Sequence, residues 1–357
     1  MTTKLALLGA GKIGTAITTL LGATGDYRLT VVDSDAAMLE RARAAGLETR
    51  ALDLADAVAV AQALRGHDVA LSACPYQLAP AIGAAARAAG VHYFDLTEDV
   101  EGTRRIREIA RDAPTAFVPQ CGLAPGFVGI VAHDLARRFE PARDVFLRVG
   151  ALPVYPTNAL LYNLTWSTDG LINEYCNRCE AIVDGRYVES PPLEEVEQFS
   201  LDGVTYEAFN TSGGLGTLWE TLAGRVQNLN YKTVRYPGHR DAMKLLLRDL
   251  RLGERRELLK DVLENALPMT WQDVVLVFVT ASGWRDGQLV QESYAKKIYG
   301  QAIEGRQLSA IQLTTAAGVC TMVDLLVAGR LSQRGFVRQE EARLDEFLAN
   351  RFGRYFA

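Results

Sequence analysis

The sequence predicts an α/β protein that begins with a doubly wound parallel sheet and continues into a second, α+β domain. Three observations predict this fold class. A short apolar strand at Lys4–Leu8 runs directly into the glycine-rich segment Gly9–Gly14. Strand and helix patterns then alternate with short connections, which favours right-handed crossovers between parallel strands. From Leu123 this alternation stops and β-rich segments take over.

The first domain is predicted to alternate strands and helices along its whole length. Each predicted helix carries apolar residues on one face, and Gly46, Gly66 and Gly90 end three of the helices. The predicted strands are Lys4–Leu8, Leu29–Val32, Leu47–Ala51, Val69–Ser72, His92–Leu96 and Thr115–Pro119. The predicted helices are Lys12–Ala23, Ala36–Ala45, Ala55–Leu64, Leu78–Ala89 and Val100–Arg111.

The second domain is predicted to hold a mixed, largely antiparallel sheet, followed by C-terminal helices that return to the first domain. Turn sequences at Asp184–Tyr187 and Leu201–Gly203 punctuate a hairpin-like region from Val183 to Phe209. The other predicted elements are strands at Asp144–Gly150, Trp271–Thr280 and Leu289–Ile298 and helices at Leu308–Gly329 and Arg338–Asn350. The predicted boundaries are 1–124, 125–304 and 305–357.

Composition excludes several classes of partner. The 357 residues carry a formal net charge of -5 without a block of like charges, so a nucleic acid or an anionic membrane, which needs a basic face, is not expected. No uncharged apolar run of about 18 residues is evident, and no membrane span is predicted. The scattered cysteines fit a reducing cytoplasm. Cys176 and Cys179 form a lone CxxC pair without further ligands nearby, so no metal site is predicted.

Gly9, Gly11 and Gly14 form a GxGxxG pattern between a strand and a helix, which is the context that dinucleotide binding requires. The first glycine permits the tight turn, the second lets the backbone approach a pyrophosphate, and the third allows close packing of helix on strand. Lys12 and Ile13 open the helix, whose N-terminal N–H groups attract phosphates. The first domain is therefore predicted to be a Rossmann domain that binds a nicotinamide dinucleotide.

Asp33 ends the second predicted strand and indicates NAD rather than NADP. A carboxylate there accepts the ribose hydroxyls and repels a 2′-phosphate, and the next residues, Ser34 and Asp35, offer no arginine. A helix cap is an alternative role, which Ser34 or Asp35 would fill equally well. Further candidate cofactor residues follow the third and fourth strands, at the sheet edge where ligands bind. They are Asp53, for which a helix cap is again the alternative, and Ser72, Cys74, Pro75 and Tyr76.

The chain resembles the saccharopine dehydrogenase superfamily along nearly its whole length. The resemblance rests on the glycine motif and on five further segments. These are Tyr93–Asp99, Pro119–Ile130, Thr211–Thr217, Leu229–His239 and the closing segment Leu325–Glu341. Within the superfamily the chain is most similar to the lysine 6-dehydrogenases. This resemblance implies that the chain oxidises the ε-amine of L-lysine with NAD, giving a semialdehyde that cyclises to a piperideine carboxylate.

Amine oxidation needs an anchor for the substrate and a base for the amine proton. Arg235 is the candidate anchor for the α-carboxylate, with a structural ion pair as its alternative role. His239 has the intrinsic pKa of a base and is expected on a loop beside Pro237-Gly238. Lys232 would serve as a base if desolvation lowers its pKa, and it would equally anchor a carboxylate. Tyr231, in the same segment, is a further candidate substrate residue.

Two more groups of residues are candidates for the substrate site. Asp95 and Glu98 follow the fifth strand and are predicted to pair with the substrate ammonium, Asp95 also as a catalytic residue. Asp95 has the alternative role of bracing its loop. Thr211 and Gly213 belong to a turn that is predicted to form a backbone nest for the substrate carboxylate, although a plain tight turn is an equal alternative.

Two other functions stay open. An opine-type reductase, like saccharopine reductase or carboxynorspermidine dehydrogenase, acts on a secondary amine and needs a second carboxylate clamp, for which Arg148, Arg178 or Arg240 are available. A non-catalytic NAD-sensing module would keep the glycines without a working substrate cleft. The mixed sheet and the aromatic residues of the second domain predict a homodimer or a higher homo-oligomer.

Overall fold

The structure is a computed structural model that describes residues 2–357. Its strands in chain order are β1 (Thr3–Leu8), β2 (Tyr27–Asp33), β3 (Glu48–Ala51), β4 (Val69–Ser72), β5 (His92–Asp95), β6 (Ala116–Val118), β7 (Ala142–Pro153), β8 (Cys179–Val183), β9 (Arg186–Ser190), β10 (Glu197–Leu201), β11 (Val204–Asn210), β12 (Asn228–Arg235), β13 (Asp273–Arg285), β14 (Gln288–Tyr299), β15 (Gln301–Ile303), β16 (Arg306–Leu308) and β17 (Gly335–Phe336). Its α-helices are α1 (Lys12–Gly22), α2 (Ala36–Ala44), α3 (Ala57–Leu64), α4 (Ala79–Ala89), α5 (Val100–Ala110), α6 (Phe127–Ala136), α7 (Thr168–Cys176), α8 (Leu218–Leu222), α9 (His239–Lys244), α10 (Arg256–Ala266), α11 (Ala310–Val327) and α12 (Leu344–Ala349).

The chain forms two compact units. The first unit runs to Phe127 and resumes at Ala302–Leu308 and Gln312–Ala357. The second unit comprises Val128–Gln301 and Ser309–Ile311. Each unit is built around one large sheet.

The sheet of the first unit is parallel, with the strand order β17-β6-β5-β4-β1-β2-β3. The central strands β1, β4, β5 and β6 are largely buried, as expected of parallel strands covered on both faces, whereas the edge strand β3 is polar and mostly exposed. Since all strands point the same way, the loops after β1, β4 and β5 meet at one edge, and the strand order reverses between β1 and β4. That reversal is where open α/β sheets bind ligands. The predicted doubly wound parallel sheet is confirmed.

The C-terminal segment completes the first unit. Asp324 of α11 accepts hydrogen bonds from the Tyr27 hydroxyl at 2.6 Å and from Nη2 of Arg351 at 2.7 Å, and Arg351 also contacts Asp26 at 2.5 Å. The return of the C-terminal helices is therefore confirmed. The single helix predicted over Arg338–Asn350 is wrong.

Two extended residues interrupt the stretch Arg338–Asn350, and only the part after them is α-helical. A 3₁₀ turn spans Gln339–Glu341, where the Glu341 carboxylate accepts the Arg338 N–H at 2.9 Å. Ala342 and Arg343 then have backbone ψ angles of 137° and 134°, so the chain is extended until α12 begins. The helical periodicity of the sequence predicts one continuous helix and does not indicate this break.

Helix α11 has the length and apolarity of a membrane-crossing helix, but 83% of it is buried inside the protein. Close packing explains its composition, since a Cβ on Gly318 would lie 2.8 Å from the carbonyl oxygens of Cys121 and Gly122. The helix predicted at Leu308–Gly329 is this one, and Asp324 keeps it from being an uncharged apolar run. The apolar residues of α11 thus belong to the core of the protein.

The sheet of the second unit is mixed, with the order β10-β11-β12-β7-β13-β14, and β8 and β9 join it beside β12. Only the pairing of β12 with β7 is parallel along this path. Hairpins join β8 to β9, β10 to β11 and β13 to β14 through Asp-Gly turns. The predicted mixed, largely antiparallel sheet is confirmed.

The two faces of this mixed sheet differ. One face packs against helices α7, α9 and α10 through a core that includes Leu171, Phe209, Met243, Leu259 and Leu263. The other face, called here the open face, carries buried Leu152, Tyr206, Val234 and Leu276 with half-buried Val154, Phe199, Leu201, Tyr236 and Phe278. Strand β12 contributes to both faces, because successive side chains of a strand point to opposite sides.

Candidate active site

The glycine loop after β1 has the shape that a pyrophosphate requires. Gly9 has φ +102°, and a Cβ on it would lie 2.8 Å from the Ala73 carbonyl oxygen. A Cβ on Gly14 would lie 2.0 Å from the Gly9 carbonyl oxygen, so this contact also requires glycine. At Gly11, by contrast, an added Cβ would meet no atom within 4 Å, which leaves open space beside the start of α1. The loop therefore fits a dinucleotide whose phosphates approach Gly11 and the helix N-terminus.

Asp33 is tied to this loop and is not the cap of the next helix. Its Oδ2 accepts the Ala10 N–H at 2.6 Å, and its Oδ1 accepts the Asp35 N–H at 2.9 Å. Asp35 caps α2 instead, accepting from Ala37 and Met38. The half-buried Asp33 carboxylate is thus fixed next to the glycine loop, where a ribose would bind. Its preference for NAD stays a prediction.

Other predicted cofactor residues lie at the same edge of the parallel sheet. Ser72 is buried at the end of β4, and the Cys74 thiol donates to the Leu8 carbonyl at 3.2 Å. Burial raises the pKa of Cys74 to about 12, so it stays a neutral thiol. Pro75 and Tyr76 follow, Tyr76 beginning a 3₁₀ turn.

Three further predicted cofactor residues are more exposed. Lys12 is exposed and Ile13 half-buried on the first turn of α1. Asp53 is exposed and accepts the Ala55 N–H at 2.9 Å, whereas Asp56 caps α3. Asp53 therefore stabilises the turn before that helix, and its contact with a cofactor stays a prediction.

Asp95 is a buried carboxyl group at the end of β5. It accepts hydrogen bonds from the Tyr93 hydroxyl at 2.8 Å, the Gln120 N–H at 2.8 Å and the Thr97 N–H at 3.1 Å. Burial raises the pKa of Asp95 to about 6, although these hydrogen bonds oppose the rise. The group both braces its loop and titrates close to neutral pH. Glu98 lies half-buried in the same loop.

Arg235 ends β12 and is 3% exposed. Its Nε donates to the Tyr175 hydroxyl at 3.0 Å and its Nη1 to the Val234 carbonyl at 2.9 Å. The guanidinium carbon lies 5.0 Å from the ring centre of Tyr162 and 6.0 Å from that of Tyr175. Within residues 2–357, Nη2 of Arg235 donates to no protein acceptor. The guanidinium is thus rigidly held and has donors to spare for an anion.

His239 does not lie on a loop, as the sequence suggested, but is the fully buried first residue of α9. Glu207 holds this helix start by accepting the N–H groups of Gly238 at 2.9 Å and Arg240 at 2.7 Å. Nδ1 of His239 lies 2.8 Å from the Leu160 carbonyl, and Nε2 lies 3.1 Å from the Tyr175 hydroxyl. Both ring nitrogens of His239 are therefore engaged.

Lys232 is separated from Arg235 by the alternation of the strand. Its Nζ donates to the Glu195 carbonyl at 2.6 Å and to Glu197 Oε2 at 3.0 Å, and Arg148 pairs with the same Glu197 carboxylate. The segment brings Arg235 and His239 to the same tyrosine, but the expectation that Lys232 lies with them is wrong. The sequence pattern did not predict a strand here. In a strand, side chains three residues apart point to opposite faces of the sheet.

The turn after β11 packs beside Arg235 on the helix-covered face. Thr211 and Thr233 share a hydrogen bond of 2.8 Å between their hydroxyls, and Thr233 lies on the same face of β12 as Arg235. The turn comes so close to Tyr231 that Gly214 has no room for a side chain. Gly213 has φ +83°, which favours glycine. The structure thus brings Thr211, Gly213 and Tyr231 to the strand face that carries Arg235.

Sequence reasoning missed three residues of this cluster. Tyr162 and Tyr175 lie against Arg235, and Glu174 is a buried carboxyl group whose charge acts on all three. They belong to a loop and to α7, more than fifty residues before Arg235 in the chain. In the sequence, Glu174 and Tyr175 are marked only by the polar pair Asn173-Glu174, which follows the apolar pair Leu171-Ile172.

The comparisons with known proteins agree with this architecture. The family profile described as "Saccharopine dehydrogenase NADP binding domain" matches residues 5–118, and "Saccharopine dehydrogenase C-terminal domain" matches residues 122–353. The apo saccharopine dehydrogenase (L-Glu forming) from Saccharomyces cerevisiae superimposes with a TM-score of 0.74 at 16% identity, over 99% of this chain and 96% of that chain. An engineered D-amino acid dehydrogenase bound to NADP+ gives 0.50 at 13% identity, over 98% and 100%.

At such identities the structural likeness shows the fold, and the family follows from the profiles, which together span both units. The glycine loop supplies the dinucleotide site that such an enzyme requires. The chain therefore belongs to the saccharopine dehydrogenase family and is an oxidoreductase with a nicotinamide cofactor.

Proposed function

We propose that the chain is an NAD-dependent lysine 6-dehydrogenase that oxidatively deaminates the ε-amine of L-lysine. The observation that carries this proposal is the buried Arg235 guanidinium, whose Nη2 donates to no acceptor in the described part of the chain. A buried cation with unused donors suits a carboxylate, which a guanidinium binds through parallel hydrogen bonds. Lysine supplies that carboxylate at the end opposite its reactive carbon.

The three arginines that were candidates for a second carboxylate clamp are already paired, which favours a substrate with a single carboxylate. A secondary-amine substrate of the opine type needs a second clamp, and Arg148, Arg178 and Arg240 were the available residues. Each of them pairs with glutamate in the second unit: Arg148 with Glu197, Arg178 with Glu189 and Arg240 with Glu194. A free second clamp is therefore not found among these three, which supports a primary amine such as lysine.

Oxidation of the lysine ε-amine requires several distinct functions of the protein. A nicotinamide dinucleotide held at Gly11 and the N–H groups that begin α1 would supply the acceptor for the hydride of the ε-carbon. The amine must first lose a proton, because its lone pair has to be free when the carbon–nitrogen double bond forms. Water then adds to the resulting imine, ammonia leaves, and the semialdehyde cyclises. The protein's tasks are to hold the carboxylate, accept the proton and limit the access of other water molecules.

Asp95 is the proposed proton acceptor among the three predicted candidates. Its pKa of about 6 leaves it mostly ionised at neutral pH, with a basicity suited to general-base catalysis. Lys232 Nζ is already paired with the Glu197 carboxylate. His239, with a pKa lowered to about 3 by burial and by the charge of Arg235, is a much weaker base.

NAD is the proposed cofactor because the Asp33 carboxylate would face the additional phosphate of NADP. The open space at Gly11 and the N–H groups that begin α1 would hold the pyrophosphate. The five cysteines are free thiols, which suits a reducing cytoplasm as the proposed location. A homodimer or higher homo-oligomer is the proposed assembly, formed through the open face of the mixed sheet.

The proposed function is tested by measuring NAD reduction with lysine, ornithine, arginine, diamines and saccharopine as substrates. Lysine should give the highest kcat/KM, and ammonia should be released in equal amount to the reduced cofactor. Preference for saccharopine would instead identify a secondary-amine enzyme. NAD binding by calorimetry without turnover of any of these amines would identify a sensing module.

A further inference from the structure

Three buried side chains and one carbonyl form a continuous hydrogen-bonded chain at the end of β12. Arg235 Nε lies 3.0 Å from the Tyr175 hydroxyl, that hydroxyl lies 3.1 Å from Nε2 of His239, and Nδ1 lies 2.8 Å from the Leu160 carbonyl. All three side chains are at most 3% exposed. Water therefore does not compete for these hydrogen bonds.

The chemistry at the two ends fixes the direction of every hydrogen bond. A carbonyl only accepts, so Nδ1 of His239 carries a proton and donates to Leu160. A guanidinium only donates, so the Tyr175 oxygen accepts from Arg235. The Tyr175 proton is then directed to Nε2 of His239, which accepts it. This pattern assigns His239 to the neutral tautomer with its proton on Nδ1.

The groups around His239 support the same assignment. Arg235 on β12 places a positive charge beside the ring, while Tyr162, Tyr175 and Phe209 surround it with aromatic rings. Glu174, the acidic side chain of this cluster, acts on Arg235 and the tyrosines. Protonation of Nε2 would place a second cation next to Arg235 and would break the hydrogen bond that Tyr175 donates.

We propose that Tyr175 and His239 are positioning residues that hold the Arg235 guanidinium for a substrate carboxylate and take no part in proton transfer. The identity of the anion rests on the proposed function, whereas the direction of the hydrogen bonds does not. A guanidinium whose Nε and Nη1 are already fixed loses less conformational freedom when its remaining donors bind a carboxylate. The carbonyl of Leu160 holds the far end of this chain in place.

The direction of the chain is tested without any substrate. The protein has four histidines, so selective ¹⁵N labelling gives a small set of imidazole signals, and a His239→Gln variant identifies those of His239. The expected result is a neutral ring with its proton on Nδ1 that does not titrate between about pH 5 and pH 8. A proton on Nε2, or titration near the ordinary histidine pKa of about 6.5, would overturn the proposal.

The positioning role is tested by kinetics with lysine. Tyr175→Phe removes the central hydroxyl and keeps the ring, so KM should rise about tenfold, as for one lost hydrogen bond to a charged group, while kcat changes little. The matched control is Tyr206→Phe, a buried tyrosine on the open face, which should leave KM and kcat unchanged. Thermal unfolding of each variant confirms that it is folded.

The decisive variant is His239→Gln, which keeps an acceptor for the Tyr175 proton but removes the imidazole. We expect its kcat and the shape of its pH–rate profile to resemble those of the wild type, with any loss confined to KM. A fall in kcat of a hundredfold or more with an altered pH profile would identify His239 as the base and overturn the proposal. Failure to oxidise lysine at all would refute the proposed function only, because the labelling experiment stands independently.

Discussion

Gly214 and Tyr231 are in such close contact that a Cβ on the glycine would lie 2.3 Å from the ring. Gly214→Ala should therefore push the turn away from Tyr231 and cost about 1–3 kcal/mol in the free energy of unfolding, as overpacking does. Urea unfolding measures this loss. Gly129→Ala is the matched control, because Gly129 lies within α6 and an added Cβ would meet no atom within 4 Å. Equal stability of Gly214→Ala and wild type would contradict the close contact.

Arg235→Ala should raise KM for lysine steeply. Losing a charged partner of the carboxylate is expected to cost about 2–5 kcal/mol of binding. Steady-state kinetics with lysine and with a simple alkylamine measures the difference, since the alkylamine has no carboxylate to hold and should be affected far less. Arg235→Lys keeps the charge but not the planar fork and should give an intermediate KM. Unchanged lysine kinetics in Arg235→Ala would exclude Arg235 as the anchor.

Replacing Asp33 should relax the preference for NAD. Asp33→Ser removes the carboxylate that would face a 2′-phosphate, and it also weakens the hydrogen bond to Ala10, so affinity for NAD should fall. The ratio of kcat/KM with NAD to that with NADP measures the effect. Asp35→Ser is the control, because serine still caps α2 and the ratio should not move. Equal efficiency of the wild type with both cofactors would argue against the role given to Asp33.

The pH dependence follows from the raised pKa of Asp95. A carboxyl group accepts a proton only when it is ionised, so with a pKa of about 6 the active form is present above that pH and is lost below it. The lysine amine, with an ordinary pKa of about 10.4, adds a rise in rate toward alkaline pH. A pH profile of kcat with wild type and Asp95→Asn checks both parts, and the variant should lose most of its rate. A wild-type optimum in acid would refute the assignment.

The open face is expected to be covered by a second copy of the chain. Phe199, Tyr236 and Phe278 remain half-buried there, and apolar area of this kind favours association. Sedimentation equilibrium should give at least twice the chain mass of 39.0 kDa at micromolar concentration. Phe278→Lys should shift the protein toward the single-chain mass, whereas Val58→Lys, at an exposed position of α3, should not. A single-chain mass for the wild type would contradict the expected assembly.

The sequence predicted most of the parallel sheet because most of its strands are short, largely apolar runs between a helix and a loop. Strand β12 was missed for the opposite reason, since Lys232, Thr233 and Arg235 are polar residues buried within it. The alternation of apolar residues in this strand covers only Leu229 and Tyr231, and its buried charges become acceptable only through partners such as Glu197 and Tyr175. Those partners come from other parts of the chain, and a single sequence does not reveal which of them meet.

The same reason explains which part of the candidate site was predictable. The glycine loop is a local motif whose geometry follows from the steric freedom of glycine, and Gly9, Gly11 and Gly14 lie within six residues. The Arg235 cluster instead joins β12 to α7 and to the loop before it. Its members are adjacent only once the chain has folded.

The discontinuity of the first unit has a consequence for biosynthesis. Strands β1 to β6 leave the ribosome before the second unit, but β17 and most of α11, which complete the same core, are translated only after it. The edge of β6 therefore stays unpaired while residues 119–334, more than two hundred of them, are added. The second unit is nearly continuous and is free to fold during that interval. Its folding would replace a long flexible loop between the two parts of the first unit by a compact unit, which lowers the entropy cost of bringing those parts together.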